Sequence, residues 1–303
     1  MKKLTLILAL LLLLTACKEQ KHDAEEIADN PATEYSVEES EQEDTGITLE
    51  SENIEEKVPE NQPPTLSLSE INSLGNDAYG WGFVKKPGTF PEFTAGQIDM
   101  MEKYSCIYEG NKEEKCLYLT FDEGYENGYT ASILDTLKEK GVKAAFFITG
   151  PYLDTNFDLI KRMLDEGHIV GNHTVRHPNM PSLGTAEAMQ QEITELDMKL
   201  YETFGVHTKY FRPPEGAYSE RSLAAANAAG YKNVLWSFAY RDWETKNQKG
   251  AAHAVESVVP YLHNGCVMLL HAVSQDNAEA LGTIIDEAKN QGYTFKSLDE
   301  FDF

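Results

Sequence analysis

The sequence predicts an α/β fold built on a parallel β-sheet. Two observations support this prediction: from Lys115 onward, short apolar runs alternate with helical stretches, and a glycine follows each helical stretch. Strands that are joined through helices pair in parallel and are covered on both faces, which explains why these runs are apolar almost throughout. Both a (β/α) barrel and an open, doubly wound sheet are consistent with this alternation.

The elements follow one another in a regular order. The predicted strands are the apolar runs at residues 116–121, 143–149, 168–173, 209–214, 234–238 and 266–272. The predicted helices are the stretches at residues 130–140, 157–166, 187–204, 219–229, 252–264 and 279–291. The glycines that follow them, where a left-handed helix cap is favoured, are Gly141, Gly167, Gly205, Gly230, Gly265 and Gly292.

The composition excludes several classes of protein. With 303 residues, 41% of them apolar and 10% aromatic, the chain can bury a substantial core, so a wholly disordered or fibrous protein is excluded. The 50 acidic residues outnumber the 26 basic ones, and the resulting net charge of −24 makes nucleic acid an improbable partner. Beyond position 16 there is no apolar run long enough to cross a bilayer, which excludes a polytopic membrane protein.

The N-terminus has the features of an export signal followed by a tether. Two lysines precede an unbroken apolar stretch that ends in Leu-Thr-Ala-Cys, so we predict a lipoprotein signal peptide at residues 1–16 and acylation of Cys17. An ordinary secretory signal is the alternative. Residues 18–64 contain sixteen acidic side chains against three lysines, a net charge of −13. We therefore predict an acidic, disordered tether over residues 17–75, between the lipid anchor and a folded domain at 76–303.

Ionisable side chains stand at the C-terminal ends of four predicted strands. They are Asp122 with Glu123, His173, Arg212 and His271. Parallel α/β folds place their active sites at this edge of the sheet. A single residue of this kind is commonplace, but four together are unusual for a purely structural protein. The sequence therefore predicts an active site at this edge.

Two histidines and a carboxylate form a candidate metal site. His173 and His177 are four residues apart just after a predicted strand, so both imidazoles could face one point on a single turn, although a hydrogen-bonded loop explains the pair equally well. Adding Glu123 from the neighbouring strand end makes three ligands with a position left open for water. Such a site activates a hydrolytic water, and Zn²⁺ is the expected ion.

Hydrolysis also needs a base for the water and an acid for the leaving group. Asp122 is the candidate base and His271 the candidate acid, while their commoner structural roles are a turn cap and a buried core histidine. Arg212 could hold Asp122 ionised, and Asp242 could orient His271 and raise its pKa. Trp243 could form a wall against a sugar ring.

These residues resemble the motifs of the polysaccharide deacetylases, or carbohydrate esterase family 4. Five motifs occur in the family's order: TFDEG at 120–124, HTVRH at 173–177, RPPEG at 212–216, Asp-Trp at 242–243 and LLH at 269–271. The resemblance implies a distorted (β/α) barrel and metal-dependent removal of acetyl groups from an N-acetylated sugar. It also implies the roles given above for the catalytic and metal-binding residues, and substrate contacts for Trp243, Leu269, Glu215 and Gly216.

One branch of this family, the muramoyl de-N-acetylases that make the muramic δ-lactam of spore cortex, is especially similar. The segments TFDEGYENGY, FRPPEGAYSER and LLHAVSQDNAEAL carry that similarity. Two residues depart from expectation: Glu123 stands where the family has an aspartate ligand, and Glu215 would repel the lactyl carboxylate of a muramic residue. Arg176 and Arg241 lie near the predicted edge and could supply a compensating cation.

The expected function is thus a metal-dependent deacetylase of peptidoglycan N-acetylmuramic acid, anchored outside the cell membrane. N-acetylglucosamine of peptidoglycan, or of another polysaccharide, is the alternative substrate. A non-catalytic, glycan-binding surface lipoprotein is the alternative of another class, although the six intact motif residues argue against a decayed site. The expected partners are glycan strands and, through Cys17, the membrane, and a monomer is expected.

The cysteines leave one structural question open. Cys106 and Cys116 flank a polar segment that could join two short strands, and a cross-strand disulfide is plausible in an exported protein. Two unpaired thiols are the equally weighted alternative. Cys266 is expected to be a reduced thiol in a buried strand.

Overall fold

Nine strands and nine helices build the part of the chain that the computed structural model describes, residues 66–302. The strands are β1 Tyr79–Gly80, β2 Cys116–Glu123, β3 Ala145–Ile148, β4 Ile169–Asn172, β5 Tyr210–Phe211, β6 Ala217–Tyr218, β7 Lys232–Asn233, β8 Cys266–His271 and β9 Thr294–Lys296. The helices are α1 Leu68–Ser73, α2 Ala95–Lys103, α3 Thr130–Lys140, α4 Gly150–Thr155, α5 Phe157–Asp165, α6 Ala186–Phe204, α7 Glu220–Ala228, α8 Ala251–Val258 and α9 Gln275–Asn290.

The central sheet is parallel, as the alternation of strands and helices predicts. Its strand order is β7–β5–β4–β3–β2–β8, and β9 lies beside the first residues of β2. All eight residues of β2 are buried, which accounts for the apolar character of its sequence. The short strands β1 and β6 form a separate antiparallel pair.

An irregular segment connects the two edges of the curled sheet. Val234 donates its N–H to Phe211 of β5 at 2.8 Å, and Leu269 of β8 donates to Phe238 at 2.8 Å. The segment predicted as a regular strand at 234–238 therefore makes only isolated bridges beyond β7, because it crosses from one edge of the sheet to the other. The result is the distorted (β/α) barrel that the family resemblance implies, and that prediction is confirmed.

The helices agree closely with the amphipathic stretches of the sequence. Helix α3 has the predicted bounds, and Gly141 caps it in the left-handed conformation at a φ of 65°. Helix α9 begins four residues earlier than predicted, because the Ser274 hydroxyl accepts the N–H of Asn277 and caps the first turn. Among the described residues, no helix is both long and apolar enough to span a bilayer.

The folded domain begins earlier than the predicted boundary at residue 76. Helix α1 starts after Ser67, which forms a capping box with Glu70, and Ile71 is fully buried. Arg221 of α7 donates to the carbonyls of Asn72 and Leu74 at 2.8 and 2.9 Å. The predicted C-terminal end of the tether, at residue 75, is therefore wrong, because α1 already belongs to the folded domain. The signal peptide, Cys17 and the tether up to residue 65 lie outside the described residues.

The structure decides between the two alternatives that the sequence leaves open for Cys106 and Cys116. Both thiols are free and buried, as is that of Cys266. The two segments do not form a hairpin with each other, since Ile107 bridges to Val234 and β2, from Cys116 onward, runs beside β8 and β9. The alternative of two unpaired thiols is therefore the one observed.

The first prediction tests the corrected boundary. Replacing Ile71 with alanine should lower the free energy of unfolding by about 2–5 kcal/mol, because it leaves a cavity where a fully buried side chain packs. Leu68→Ala on the same helix, where the side chain is 40% exposed, should cost less than about 1 kcal/mol. Urea denaturation of both variants measures the difference. Equal stabilities would show that α1 does not belong to the folded domain.

Candidate active site

The carboxyl ends of the parallel strands bring three of the predicted ionisable residues, Asp122, His173 and His271, to one cleft. Asp122 of β2 is in register with His271 of β8, and His173 and Arg212 directly follow the paired ends of β4 and β5. A cleft of about 650 Å³ opens at this end of the barrel. Its lining includes Asp122, His173, His177, Glu215 and His271, with Tyr125, Trp236, Trp243 and Leu269 as the larger apolar members.

Asp122 is held by the buried guanidinium of Arg212. Arg212 Nη1 donates to Asp122 Oδ1 at 2.6 Å, and Nη2 donates to the hydroxyl of Thr120 at 2.8 Å. The guanidinium also lies over the ring of Phe147, with 4.1 Å between its central carbon and the ring centroid. Burial works to raise the pKa of Asp122, but the charge and hydrogen bond of Arg212, together with the nearby His173 and His271, outweigh it and hold that pKa below its usual range. The carboxylate is therefore ionised and fixed in direction, with Oδ2 left for the cleft.

The two histidines stand side by side at the cleft. Their ring centroids are 4.8 Å apart and the rings are nearly perpendicular, at 73°. His173 Nδ1 donates to the carbonyl of Arg212 at 2.8 Å, which leaves Nε2 without a proton, 3.6 Å from Asp122 Oδ2. Burial lowers the pKa of His173 to about 4, so the ring is neutral at neutral pH. His177 is fixed through its backbone N–H, which donates to the hydroxyl of Thr174 at 2.9 Å.

Glu123, the predicted third metal ligand, does not join this pair. Its side chain is fully buried on the outer side of β2, where Oε1 lies 3.5 Å from the hydroxyl of Thr130 on α3, and Oε2 has no hydrogen-bond partner. Burial raises the pKa of Glu123 well above its ordinary value, and the nearby Glu126 and Asp122 raise it further. Successive residues of a strand point to opposite faces, so Asp122 and Glu123 cannot both face the cleft.

The predicted three-ligand metal site is consequently not assembled. Within residues 66–302, no three His, Cys, Asp or Glu side chains are grouped so as to hold a metal ion. The converging rings of His173 and His177 suit two metal ligands, and the bond from Nδ1 of His173 to a carbonyl is of the kind that orients a ligating imidazole. The donor set as predicted does not fit a divalent metal, because its carboxylate lies on the other side of β2.

His271 is oriented by Asp242, as predicted from the sequence. His271 Nδ1 donates to Asp242 Oδ1 at 2.7 Å, and the backbone N–H of His271 donates to Oδ2 at 2.8 Å. Burial works to lower the pKa of His271, but the Asp242 carboxylate more than offsets this, and the pKa lies above its ordinary value. Because Nδ1 is engaged, Nε2 is the nitrogen available to a substrate.

Aromatic side chains border the cleft. Trp243 is 49% exposed and its ring packs edge-on against His271, with centroids 5.5 Å apart. Tyr125, which the sequence analysis missed, is 54% exposed and follows directly after the TFDEG motif. Exposed rings of this size at a cleft are suited to stacking on sugar rings. Leu269 lines the floor, as expected for a substrate contact.

Gly216 serves the packing behind the cleft and is not part of its lining. Its φ is 64°, and a Cβ at this position would lie 2.8 Å from the ring of Trp236 and 3.2 Å from Trp81. Only glycine allows both the conformation and the close approach. Its predicted contact with substrate is therefore replaced by an indirect role, since it lets Trp236 reach the cleft wall.

The charged residues near the cleft differ in their hydrogen-bond partners and in whether they line the cleft. Glu215 lines the cleft, where Asn179 donates to its carboxylate at 3.4 Å. Arg176 also lines the cleft, but its guanidinium donates to Glu192 at 2.6 Å and lies 3.2 Å from Glu195. Arg241 pairs with Glu244 at 3.5 Å and is not part of this lining. Of the two predicted cations, Arg176 is the one that the fold brings to the cleft.

Comparison with known proteins identifies related chains. A family model described as polysaccharide deacetylase matches residues 109–234. The peptidoglycan-N-acetylmuramic acid deacetylase PdaA of Bacillus subtilis is 43% identical over 237 residues, which are 78% of this chain and 90% of that protein. The solved structure of Bacillus subtilis PdaA, described as a family 4 carbohydrate esterase, has a TM-score of 0.73 at 43% identity and covers 75% of this chain and 98% of its own.

A relative named for a different substrate is less similar. A peptidoglycan-N-acetylglucosamine deacetylase of Bacillus cereus is 34% identical over 198 residues, which are 64% of this chain and 91% of that protein. The relative named for N-acetylmuramic acid therefore has the higher identity and matches the larger share of this chain.

The second prediction concerns metal binding at this site. Glu123→Gln should leave the Zn²⁺ content of the protein unchanged after equilibration and dialysis, because Glu123 points away from the cleft. His177→Ala should lower that content, since it removes one of the two converging imidazoles. Elemental analysis of both variants and the wild type measures this. Loss of Zn²⁺ from Glu123→Gln alone would mean that Glu123 turns into the cleft when metal is present.

Proposed function

Because this chain belongs to the polysaccharide deacetylase family, carbohydrate esterase family 4, we propose that it is a hydrolase that removes acetyl groups from N-acetylmuramic acid residues of peptidoglycan. The observation that carries this proposal is that Asp122 and His271 lie in register on adjacent strands and line the same cleft. One is an ionised carboxylate and the other an imidazole with a raised pKa. Amide hydrolysis requires one base and one acid at the same carbonyl group.

Asp122 is suited to be the general base. The charge of Arg212 keeps it ionised, and the bond to Oδ1 leaves Oδ2 free to accept a proton from water. The resulting hydroxide attacks the acetamide carbonyl carbon and forms a tetrahedral intermediate.

His271 is suited to be the general acid. When the intermediate collapses, the carbon–nitrogen bond breaks and the Nε2 proton moves to the departing sugar nitrogen, so that acetate and a free amine are formed. An amide nitrogen is a poor leaving group unless it is protonated, and a histidine with a raised pKa still carries that proton near neutral pH. Asp242 stabilises the imidazolium before the transfer and fixes the direction of Nε2.

The choice of N-acetylmuramic acid rests on the more similar relative, which carries that substrate in its name. A muramic residue has a lactyl carboxylate beside the acetamide, and Arg176 is the cleft cation that could face it. After deacetylation the new amine and this carboxylate belong to one sugar, and their condensation gives the muramic δ-lactam of spore cortex. We further propose that the chain acts outside the membrane. The acylated Cys17 would be the anchor, and the acidic N-terminal segment would connect it to the catalytic domain.

The test of this function is mass spectrometry of glycan fragments after incubation with the soluble domain. Loss of one acetyl group from muramic residues is the expected result. Loss from N-acetylglucosamine residues would instead identify the alternative substrate. Binding to glycan strands with no loss of acetyl from either sugar would identify a non-catalytic glycan-binding protein.

The third prediction concerns the base. Asp122→Asn should reduce kcat by roughly 10²–10⁴-fold, because the amide cannot accept the proton of water. The amide oxygen can still accept the bond from Arg212, but the guanidinium loses its counter-charge. Thermal denaturation is therefore the control, and activity is measured well below the melting temperature. A folded Asp122→Asn variant with near-normal kcat would exclude Asp122 as the base.

The fourth prediction concerns the pH dependence of kcat. The acid must be protonated, so activity falls as the pH rises through the pKa of His271. Asp242→Asn removes the charge that raises this pKa, so the alkaline limb should move to lower pH. Asp286→Asn, the same change at an exposed position of α9, should leave the profile unchanged. If the alkaline limb stays in place in Asp242→Asn, it does not arise from the titration of His271.

A further inference from the structure

A buried amide lies behind the Asp242–His271 pair. The side chain of Asn277, in the first turn of α9, is 1% exposed. Its Nδ2 donates to Asp242 Oδ2 at 2.6 Å and lies 3.3 Å from the carbonyl oxygen of His271. One side chain thus contacts both members of the pair from the side opposite the cleft.

The orientation of this amide is determined by a second buried residue. The phenol of Tyr240 donates a short hydrogen bond to Asn277 Oδ1. Because the oxygen of the amide faces Tyr240, its NH₂ group must face Asp242. The backbone N–H of Asn277 is bound as well, by the capping hydroxyl of Ser274 at 3.2 Å. The donor therefore has little freedom to move away from Asp242.

We propose that Asn277 is a positioning residue for deacetylation, which acts through Asp242 to hold His271 in its catalytic orientation. This inference rests on the proposed function. The side chain of Asp242 is completely buried, and three donors converge on it: Nδ1 of His271 on Oδ1, and the backbone N–H of His271 and Nδ2 of Asn277 on Oδ2. Two of the three come from His271 itself, so Asn277 is the member that connects the pair to a different part of the fold.

The consequence for His271 follows from this geometry. A buried carboxylate that loses one donor turns toward other partners, since an unsatisfied oxygen is costly in a low-dielectric interior. Any rotation of Asp242 lengthens its bond to Nδ1 and redirects Nε2 away from the sugar nitrogen. Substitution of a residue that orients an active-site histidine without touching the substrate therefore changes kcat more than KM.

Other charged groups that face His271 remain in place when Asn277 is changed. Asp122, in register on the neighbouring strand β2, and the buried Arg212 after β5 have opposite effects on its pKa. Asp276, beside Asn277 on α9, is turned to the backbone N–H groups of Lys249 and Gly250 at 2.6 and 2.9 Å. A change in the pH profile of an Asn277 variant can therefore be assigned to Asp242.

The experiment replaces Asn277 with leucine, which has a similar volume and cannot hydrogen bond. We expect kcat to fall by about 10-fold or more, KM to stay within about 2-fold, and the alkaline limb of kcat to move to lower pH, because a displaced Asp242 raises the pKa of His271 less. Asn290→Leu, at the exposed far end of α9, is the matched control and should behave as wild type.

Two further measurements separate positioning from simple destabilisation. In an Asp242→Asn background, Asn277→Leu should have no additional effect on kcat, because the residue acts only through Asp242. If Asn277→Leu folds poorly because the phenol of Tyr240 is stranded, the double variant Tyr240→Phe/Asn277→Leu removes that phenol and should show the same kinetic change. Wild-type kcat and an unchanged pH profile in either folded variant would overturn the proposal, as would full additivity with Asp242→Asn.

The proposal can also be tested without substrate. The pKa of the His271 ring, followed by NMR titration, should be lower in Asn277→Leu than in the wild type. If the wild type shows no deacetylase activity while this difference is observed, the proposed function fails and the positioning role stands. If the wild type is active and the ring pKa is the same in both proteins, the positioning role fails and the proposed function stands.

Discussion

The buried ion pair of Arg212 and Asp122 is the constraint on which the rest of the site depends. A guanidinium with no exposed surface is tolerated only when its donors find acceptors, and here they are Asp122, Thr120 and the carbonyls of Val234 and Leu235. These acceptors come from strands on different sides of the barrel. The backbone carbonyl of Arg212 also accepts from His173, so one residue fixes both the candidate base and the first histidine.

The barrel closes irregularly, and this irregularity serves the site. A regular strand at 234–238 would continue beside β5, whereas the observed segment crosses to β8 and bridges Met268 through Phe238. Four residues later the chain presents Asp242 to His271, the last residue of β8. The N-terminus of α9 then covers this pair from behind with the amide of Asn277. The acid is thus supported by three elements that meet only because the sheet is curled and closed.

The parallel sheet, its helices and the edge that carries the site could all be predicted from the amino-acid sequence. Apolar runs that alternate with amphipathic stretches leave few arrangements open, because each strand must be covered on both faces. Asp122, His173, Arg212 and His271 could be placed at one edge because parallel strands all end on the same side. The partnership of Asp242 with His271 was inferred from chemistry and motif resemblance, and the structure shows these two side chains hydrogen bonded.

The contacts between side chains that are distant in sequence, in contrast, depend on how the elements pack. Asp122 and Glu123 are adjacent in sequence and chemically alike, yet β2 turns one to the cleft and the other beneath α3. The cysteines at 106 and 116 are close along the chain, but their thiols are free and their segments do not pair with each other. Asn277 meets Asp242 across 35 positions of sequence. Local sequence patterns report periodicity and propensity, whereas these contacts depend on the relative placement of distant segments, which packing alone determines.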